Sequence, residues 1–345
     1  PRVWSMASLE PISKCLETGS VVWRLFFDAD FLRYGEKVTS RLTPISVKGD
    51  GQSWAARTAF TKGGPVGKVR VAATQMRCTA DREQNIDRAE ALVRAAASQG
   101  AHIILLQELF ESLYFCQVED PAFFELASPL GQNPAVRHFS AIAKELAVVL
   151  PISFFERRNQ AFYNSVALID ADGSVLGVYR KTHIPDGPGY EEKFYFNPGD
   201  TGFRVWPTRY AKIGVGICWD QWFPETARCL VLAGAEILFY PTAIGSEPLN
   251  PGYDSRDHWR TCMRGHSGAN MVPVVAANRT GDETIDGSTI SFYGSSFITD
   301  NRGVITARMN RTDEGIITAD VDLETMAAER RAWGIFRDRR PEYYR

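Results

Sequence analysis

The sequence predicts an α/β protein built on two sheets, each covered on its outer side by helices. Three observations carry that expectation. From Lys68 onward, short apolar runs alternate with amphipathic helical stretches. Runs such as Ile103-Ile104-Leu105-Leu106 and Ile213-Gly214-Val215-Gly216-Ile217 carry no polar side chain, as strands buried on both faces do not. Hairpin signals interrupt the βα alternation, which fits two packed sheets better than one doubly wound sheet.

Taken in order, residues 68–76 read as a strand, and 83–99 as a helix with Ile86, Ala89, Leu92, Val93 and Ala96 on one face and Gly100 as its stop. The apolar run 101–106 is a strand ending in Gln107-Glu108, followed by an aromatic loop (Phe110, Tyr114, Phe115). A helix over 134–147 precedes a strand over 148–155. Runs 161–169 and 174–181 form a hairpin through Asp170-Ala171-Asp172-Gly173. Strands are expected at 203–206, 212–218, 236–242 and 272–278, with helices at 223–234 and about 255–270. A β pair over 294–308, turning at Asp300-Asn301-Arg302-Gly303, leads to a strand at 315–321 and a helix at 323–336. Residues 1–66 lack clear periodicity and are expected to form a weakly ordered N-terminal extension ahead of one domain over 67–345. Within it, 21–27 reads as a short strand or helix, and Thr61-Lys62-Gly63-Gly64-Pro65 as a linker. The chain begins at Pro1, as a fragment or processed product would.

Composition excludes several function classes. The 345 residues carry a formal net charge of −2, so no field favours nucleic acid or an anionic membrane. No run approaches the ~20 apolar residues of a membrane span. The 6 cysteines are dispersed without a CxxC pair, which points to a reducing compartment and away from a disulfide framework or a zinc site. His258 and His266 are too far apart in sequence for a metal-binding pair on one helix. The cytoplasm is therefore the expected location. The extension leaves organellar targeting open: it is net basic, yet holds Glu10, Glu17, Asp28, Asp30 and Glu36, which transit peptides avoid.

Three strands end in a reactive group: Glu108 after 103–106, Lys181 after 175–180 and Cys218 after 213–217. Strand carboxyl ends in layered α/β folds converge on one rim, which would make neighbours of these residues. Their chemistry is complementary. A thiol becomes a strong nucleophile when a base takes its proton. Glu108, desolvated behind a Leu-rich strand, can be that base. Lys181, with the backbone N–H of Trp219, can hold an oxyanion.

The segments 68–76, Leu106-Gln107-Glu108-Leu109-Phe110, Tyr179-Arg180-Lys181-Thr182-His183-Ile184-Pro185 and Gly214-Val215-Gly216-Ile217-Cys218-Trp219-Asp220 resemble, in order, the signatures of the nitrilase (carbon–nitrogen hydrolase) superfamily. The resemblance covers about 68–338. It implies a four-layer α-β-β-α sandwich and a catalytic triad in which Glu108 is general base, Lys181 oxyanion stabiliser and Cys218 nucleophile. It also implies an assisting glutamate ahead of an aromatic run and Asn-Pro-Gly. Glu192, before Lys193-Phe194-Tyr195-Phe196-Asn197-Pro198-Gly199, matches it, with Glu191 as the neighbouring register. Neither a metal nor an organic cofactor is implied.

Within the superfamily, 185–196, 243–248 and 254–260 resemble a branch that hydrolyses a carbamoylated diamine, N-carbamoylputrescine. Such a substrate has a ureido group at one end, four methylenes and an ammonium at the other. It needs apolar walls and a carboxylate at the far end. Glu247, after strand 236–242, is the expected carboxylate, with Asp254 and Asp257 as competitors. Tyr190, Trp219 and Trp222 are expected along the stem, where an aromatic face also attracts an ammonium. A carbamoyl amino acid would instead call for a cation, from Arg256, Arg260 or Arg279, although Arg256 and Asp257 read better as a local ion pair. Nitrile hydrolysis and a catalytically silent scaffold are the remaining alternatives. Trp333, Ile335 and Phe336 among five arginines suggest an interface of a homo-oligomer.

Overall fold

The computed structural model describes residues 67–248 and 250–344. The expectations for the extension over 1–66, its run at 21–27 and the linker at 61–65 lie outside the described residues.

The first half of the domain runs β1 (Lys68–Gln75), α1 (Arg82–Ser98), β2 (Ile103–Leu105), α2 (Pro134–Leu146), β3 (Leu150–Arg158), β4 (Ala161–Ile169) and β5 (Val175–Arg180). The helix starts are set by local chemistry. Asp81 accepts from the Gln84 N–H at 3.1 Å to open α1. Asn133 accepts from the Val136 N–H at 2.9 Å to open α2, with Pro134 at its first position. The second half comprises α3 (Glu192–Tyr195), β6 (Val205–Pro207), β7 (Lys212–Val215), α4 (Pro224–Leu232), β8 (Ile237–Pro241), α5 (Arg256–Asn270), β9 (Val274–Ala277), β10 (Thr280–Ile285), β11 (Ser288–Tyr293), β12 (Phe297–Thr299), β13 (Ile305–Arg308), β14 (Gly315–Asp322) and α6 (Leu323–Trp333).

The strands form two layers. One is β14-β1-β2, joined through an Ile103–Val149 bridge to β3-β4-β5. The other is β13-β12-β9-β8-β7-β6. The period of two along each strand sorts side chains between inner and outer faces. Val71, Ala73, Ile103, Leu105, Ile213, Val215, Ile237 and Phe239 meet in one core between the sheets. The alternate residues Ala72 and Ile104 pack on α1 and α2 with Val93 and Phe139. Leu238 and Tyr240 pack on α4 and α5 with Leu230, Trp259 and Met263. Strands buried on both faces therefore read as unbroken apolar runs, and the result is the α-β-β-α sandwich. Gly214 in β7 and Gly216 just after it follow from close packing against α4 and β8. A Cβ on Gly214 would lie 3.0 Å from the Leu230 Cβ, and one on Gly216 would lie 2.7 Å from the Tyr240 ring.

Two departures from expectation bear on the site. The strand anticipated over 212–218 ends at Val215, and Cys218–Trp222 form a tight 3-10 turn. The β10–β11 hairpin was not anticipated. Its turn is Asp286-Gly287, both at positive φ (46° and 81°), the dipeptide that two-residue hairpin turns favour.

Candidate active site

Glu108, Lys181 and Cys218 each follow the carboxyl end of a strand, β2, β5 and β7 respectively. Because β2 and β5 belong to one sheet and β7 to the other, only the stacking of the sheets brings the three onto one rim. The Lys181 Nζ donates to Glu108 Oε1 at 2.8 Å and to the two Glu192 oxygens at 2.8 and 2.6 Å. All three side chains are fully buried. The register ambiguity is thereby resolved in geometry: Glu192 points inward, whereas Glu191 is half-buried and meets the Lys181 ammonium nowhere.

One ammonium faces two carboxylates. Burial opposes the charge on Lys181, but Glu108 and Glu192 outweigh it and hold the ammonium well above the usual lysine range. Burial raises the Glu192 carboxyl above its ordinary range; Glu108 adds to this, and Lys181 opposes it. Two neutral residues that sequence reasoning missed complete the network. The Asn164 amide donates to Glu108 Oε1 at 2.7 Å, and the Tyr114 hydroxyl to Glu192 Oε1 at 2.7 Å. Neither carries a local sequence signal that would mark it before the fold assembles the network. Glu108 Oε2 is buried and has no hydrogen-bond partner among the described residues, so it is open to accept a proton.

The backbone around these groups is held firmly. Asn197-Pro198-Gly199 presses on the strand end that carries Lys181. The Gly199 N–H donates to the Lys181 carbonyl at 2.8 Å, and a Cβ there would fall 2.1 Å from the Arg180 carbonyl oxygen. Only glycine permits that approach. Arg279, fully buried, donates to the carbonyls of Glu108 at 3.0 Å and Ser112 at 3.0 Å and pairs with Glu283 at 2.9 Å. Glu283, on the unanticipated hairpin, in turn accepts from the Tyr114 N–H at 2.6 Å. Arg279 is therefore committed to the loop behind Glu108 and is not the substrate-facing cation that the sequence left open.

Cys218 is buried at φ +39°, with its Sγ 3.7 Å from the Ala243 carbonyl oxygen. Burial pushes its thiol well above the ordinary range; Glu108 and Glu192 add to the shift and Lys181 opposes it. The thiol lines a cleft of about 190 Å³ together with Glu192, Tyr190, Trp219, Gln221, Trp222 and Glu247, closed on one side by Pro185–Pro188. Tyr190, Trp219, Trp222 and Glu247 are thus gathered where the sequence placed them. Tyr190 is fixed by its hydroxyl, which accepts from the Gly245 N–H and donates to the Ser246 carbonyl, both at 3.1 Å. The Glu247 carboxylate accepts from the Ser255 hydroxyl at 2.9 Å and forms no salt bridge among the described residues.

The competing carboxylates and cations lie elsewhere. Asp254 pairs with Arg311, and Asp257 with Arg256, the local pair expected of the latter. Arg256 and Arg260 line a separate groove with Arg308 and Arg311. Asp186 also lines the cleft, with Lys193 Nζ at 3.8 Å. Cys78, Cys116, Cys218, Cys229 and Cys262 are all free thiols. Among the described residues, no helix is long and apolar enough to cross a membrane.

Comparison with known proteins agrees with this geometry. The Carbon-nitrogen hydrolase family profile matches residues 70–331. An N-carbamoylputrescine amidase of Oryza sativa subsp. japonica is 58% identical over 287 residues, covering 82% of this chain and 95% of the rice protein. A citrullinase of Francisella tularensis is 52% identical over 276 residues, covering 80% of this chain and 96% of its own. The crystal structure of a carbon-nitrogen hydrolase from Helicobacter pylori superposes with a TM-score of 0.75 at 40% identity, covering 80% of this chain and 97% of that one. The chain belongs to the carbon-nitrogen hydrolase family.

Proposed function

We propose that the protein hydrolyses N-carbamoylputrescine to putrescine, carbon dioxide and ammonia through a thioester on Cys218. The observation that carries the reading is the cleft itself. It has a thiol beside a buried carboxylate–ammonium–carboxylate cluster at one end, aromatic walls, and in its lining a carboxylate, Glu247, that forms no salt bridge among the described residues. High identity to N-carbamoylputrescine amidases over most of both chains supports the same substrate.

In the mechanism, Glu108 takes the Cys218 proton through its open Oε2 as the sulfur attacks the ureido carbon. The raised thiol pKa means that this proton leaves during attack and not before it. The new oxyanion is held by Lys181 and the Trp219 N–H. Glu108 returns the proton to the departing nitrogen, and ammonia leaves. A water molecule, deprotonated by Glu108, attacks the carbamoyl thioester; the sulfur leaves as Cys218 recovers its proton. The carbamic acid so released loses carbon dioxide and leaves putrescine. Glu192 keeps the Lys181 ammonium charged and in place.

The citrullinase likeness brings in a second ureido substrate, which carries a carboxylate beside its ammonium. Among the described residues, three acidic side chains line the cleft, Asp186, Glu192 and Glu247, and no lysine or arginine does; Glu192 is paired with Lys181, which leaves Asp186 and Glu247 to face a substrate cation. That charge balance favours the diamine. The test is ammonia release from N-carbamoylputrescine, citrulline, carbamoyl-β-alanine, an aliphatic amide and a nitrile, with Cys218→Ser as control. Preference for any of the other four would overturn the substrate, and near-normal turnover by C218S would overturn the nucleophile.

Self-association follows the same reading. Phe336 packs against the domain beneath Arg228, whose guanidinium lies 5.1 Å from the ring centroid, but Trp333 remains 73% exposed. An exposed tryptophan in an arginine-rich tail suits an interface with a second copy. A Trp333→Ala protein should elute later on gel filtration; unchanged elution would remove the tail from the interface.

A further inference from the structure

We propose that Asp220, set by His183, is the positioning residue that fixes the nucleophile relative to the Lys181 ammonium. The inference rests on the reading of Cys218 and Lys181 given above. Asp220 is fully buried and accepts four hydrogen bonds from two separate stretches of chain. Its Oδ2 accepts from the Ile217 N–H at 2.9 Å and from the Tyr179 hydroxyl at 2.7 Å. Its Oδ1 accepts from the His183 N–H at 3.0 Å and from the His183 ring Nδ1 at 2.7 Å.

These bonds sit symmetrically about the chemistry. Ile217 precedes Cys218 and Asp220 follows two residues later, and the Asp220 N–H donates back to the Ile217 carbonyl at 2.9 Å. The pair therefore brackets Cys218, which sits at φ +39°. A left-handed backbone at a residue other than glycine is strained and persists only where its surroundings over-determine it. On the other side, Tyr179 and His183 flank Lys181 by two residues each. One carboxylate thus ties the turn after β7 to the end of β5, across the two sheets. His183 is half-buried and stacked on Phe223 at 3.6 Å between centroids, which orients its ring toward Asp220. It also opens the loop whose Pro185–Pro188 segment walls the cleft.

The test compares Asp220→Asn, His183→Ala and His183→Asn with the wild type and with Cys218→Ala. Each is measured for kcat, KM, melting temperature and the rate of Cys218 alkylation by iodoacetamide. A misplacement near 1 Å costs about 100-fold in rate. D220N and H183A should lose about 10–100-fold in kcat, with KM within about twofold and a parallel loss in alkylation rate. H183N, whose amide can replace the ring N–H as donor, should recover most of what H183A loses. Equal losses in H183A and H183N would overturn the inference, because stacking would then be the contribution of the ring. So would unchanged kcat in H183A, or rate losses that simply follow melting temperature. If D220N does not fold, the two His183 variants decide. Turnover by C218A would instead defeat the underlying assignment of the nucleophile, a different and separable result.

Discussion

Replacing Glu247 by Gln keeps the shape of the cleft and the acceptor for the Ser255 hydroxyl, and removes only the charge. The consequence can be sized. Two unit charges at 4 Å attract by about 4 kcal/mol at an effective dielectric constant near 20. Glu247 is half-buried in an open cleft, so water and salt weaken this. About 1.5–3 kcal/mol remains, or roughly a 10- to 150-fold loss of kcat/KM for N-carbamoylputrescine, expressed mainly in KM. The assay needs a second substrate, N-carbamoylbutylamine, which has the same ureido group and stem but no ammonium. E247Q should leave its kcat/KM within about threefold, so the ratio between the two substrates is what changes. Added salt should shrink the wild-type preference as well. Equal losses on both substrates, or none on either, would refute recognition of the amine by Glu247. A loss transferred instead to Asp186→Asn would move that role to Asp186, which also lines the cleft.

Three further outcomes follow from the buried cluster and its packing. Lys181→Met should abolish turnover and destabilise the fold by about 3–5 kcal/mol, since it leaves two buried carboxylates without their counter-charge. The Glu192 carboxyl is already raised, and the variant raises it further. The folded state then holds a proton that the unfolded state has lost, so stability falls as pH rises above the ordinary carboxylate range; urea unfolding should show a wider gap from wild type at pH 8 than at pH 5. Alkylation of Cys218 in the free protein should keep accelerating with pH beyond the point at which N-acetylcysteine, measured alongside, levels off, because its thiol is pushed upward by burial and by Glu108 and Glu192; a plateau at or below that of the free thiol would contradict the environment described. Gly216→Ala forces a Cβ to 2.7 Å from the Tyr240 ring and 3.0 Å from the Thr226 methyl, so a loss of about 1–3 kcal/mol in urea unfolding is expected.

Much of this protein is legible in its sequence because burial imposes local patterns. Strands covered on both faces must be apolar throughout, which is why 103–105 and 213–215 could be placed. Helix α1 was placed from its apolar face and the stop at Gly100, while the caps that open α1 and α2, Asp81 and Asn133, emerged with the structure. Reactive residues at three strand ends were visible for the same reason. The hairpin β10–β11 was also within reach, through Asp286-Gly287, but its strands mix polar and apolar residues and read as loop.

What the chain could not disclose locally is which polar groups meet. Glu108 and Asn164 are 56 residues apart, and Arg279 grips the Glu108 carbonyl from 171 residues away. No periodicity encodes such pairs; strand order within one layer creates the first, and the stacking of the two sheets the second. Tertiary structure alone separates Glu192 from Glu191, sends Arg279 behind the site instead of into it, and leaves Glu247 in the cleft while Asp254 and Asp257 pair with surface arginines. The sequence by itself determined the layers and the three strand ends, because those follow from which faces water must leave. The partners of each charge were decided only by the fold, because desolvation and distance, and not residue type, set what a buried carboxylate or ammonium does.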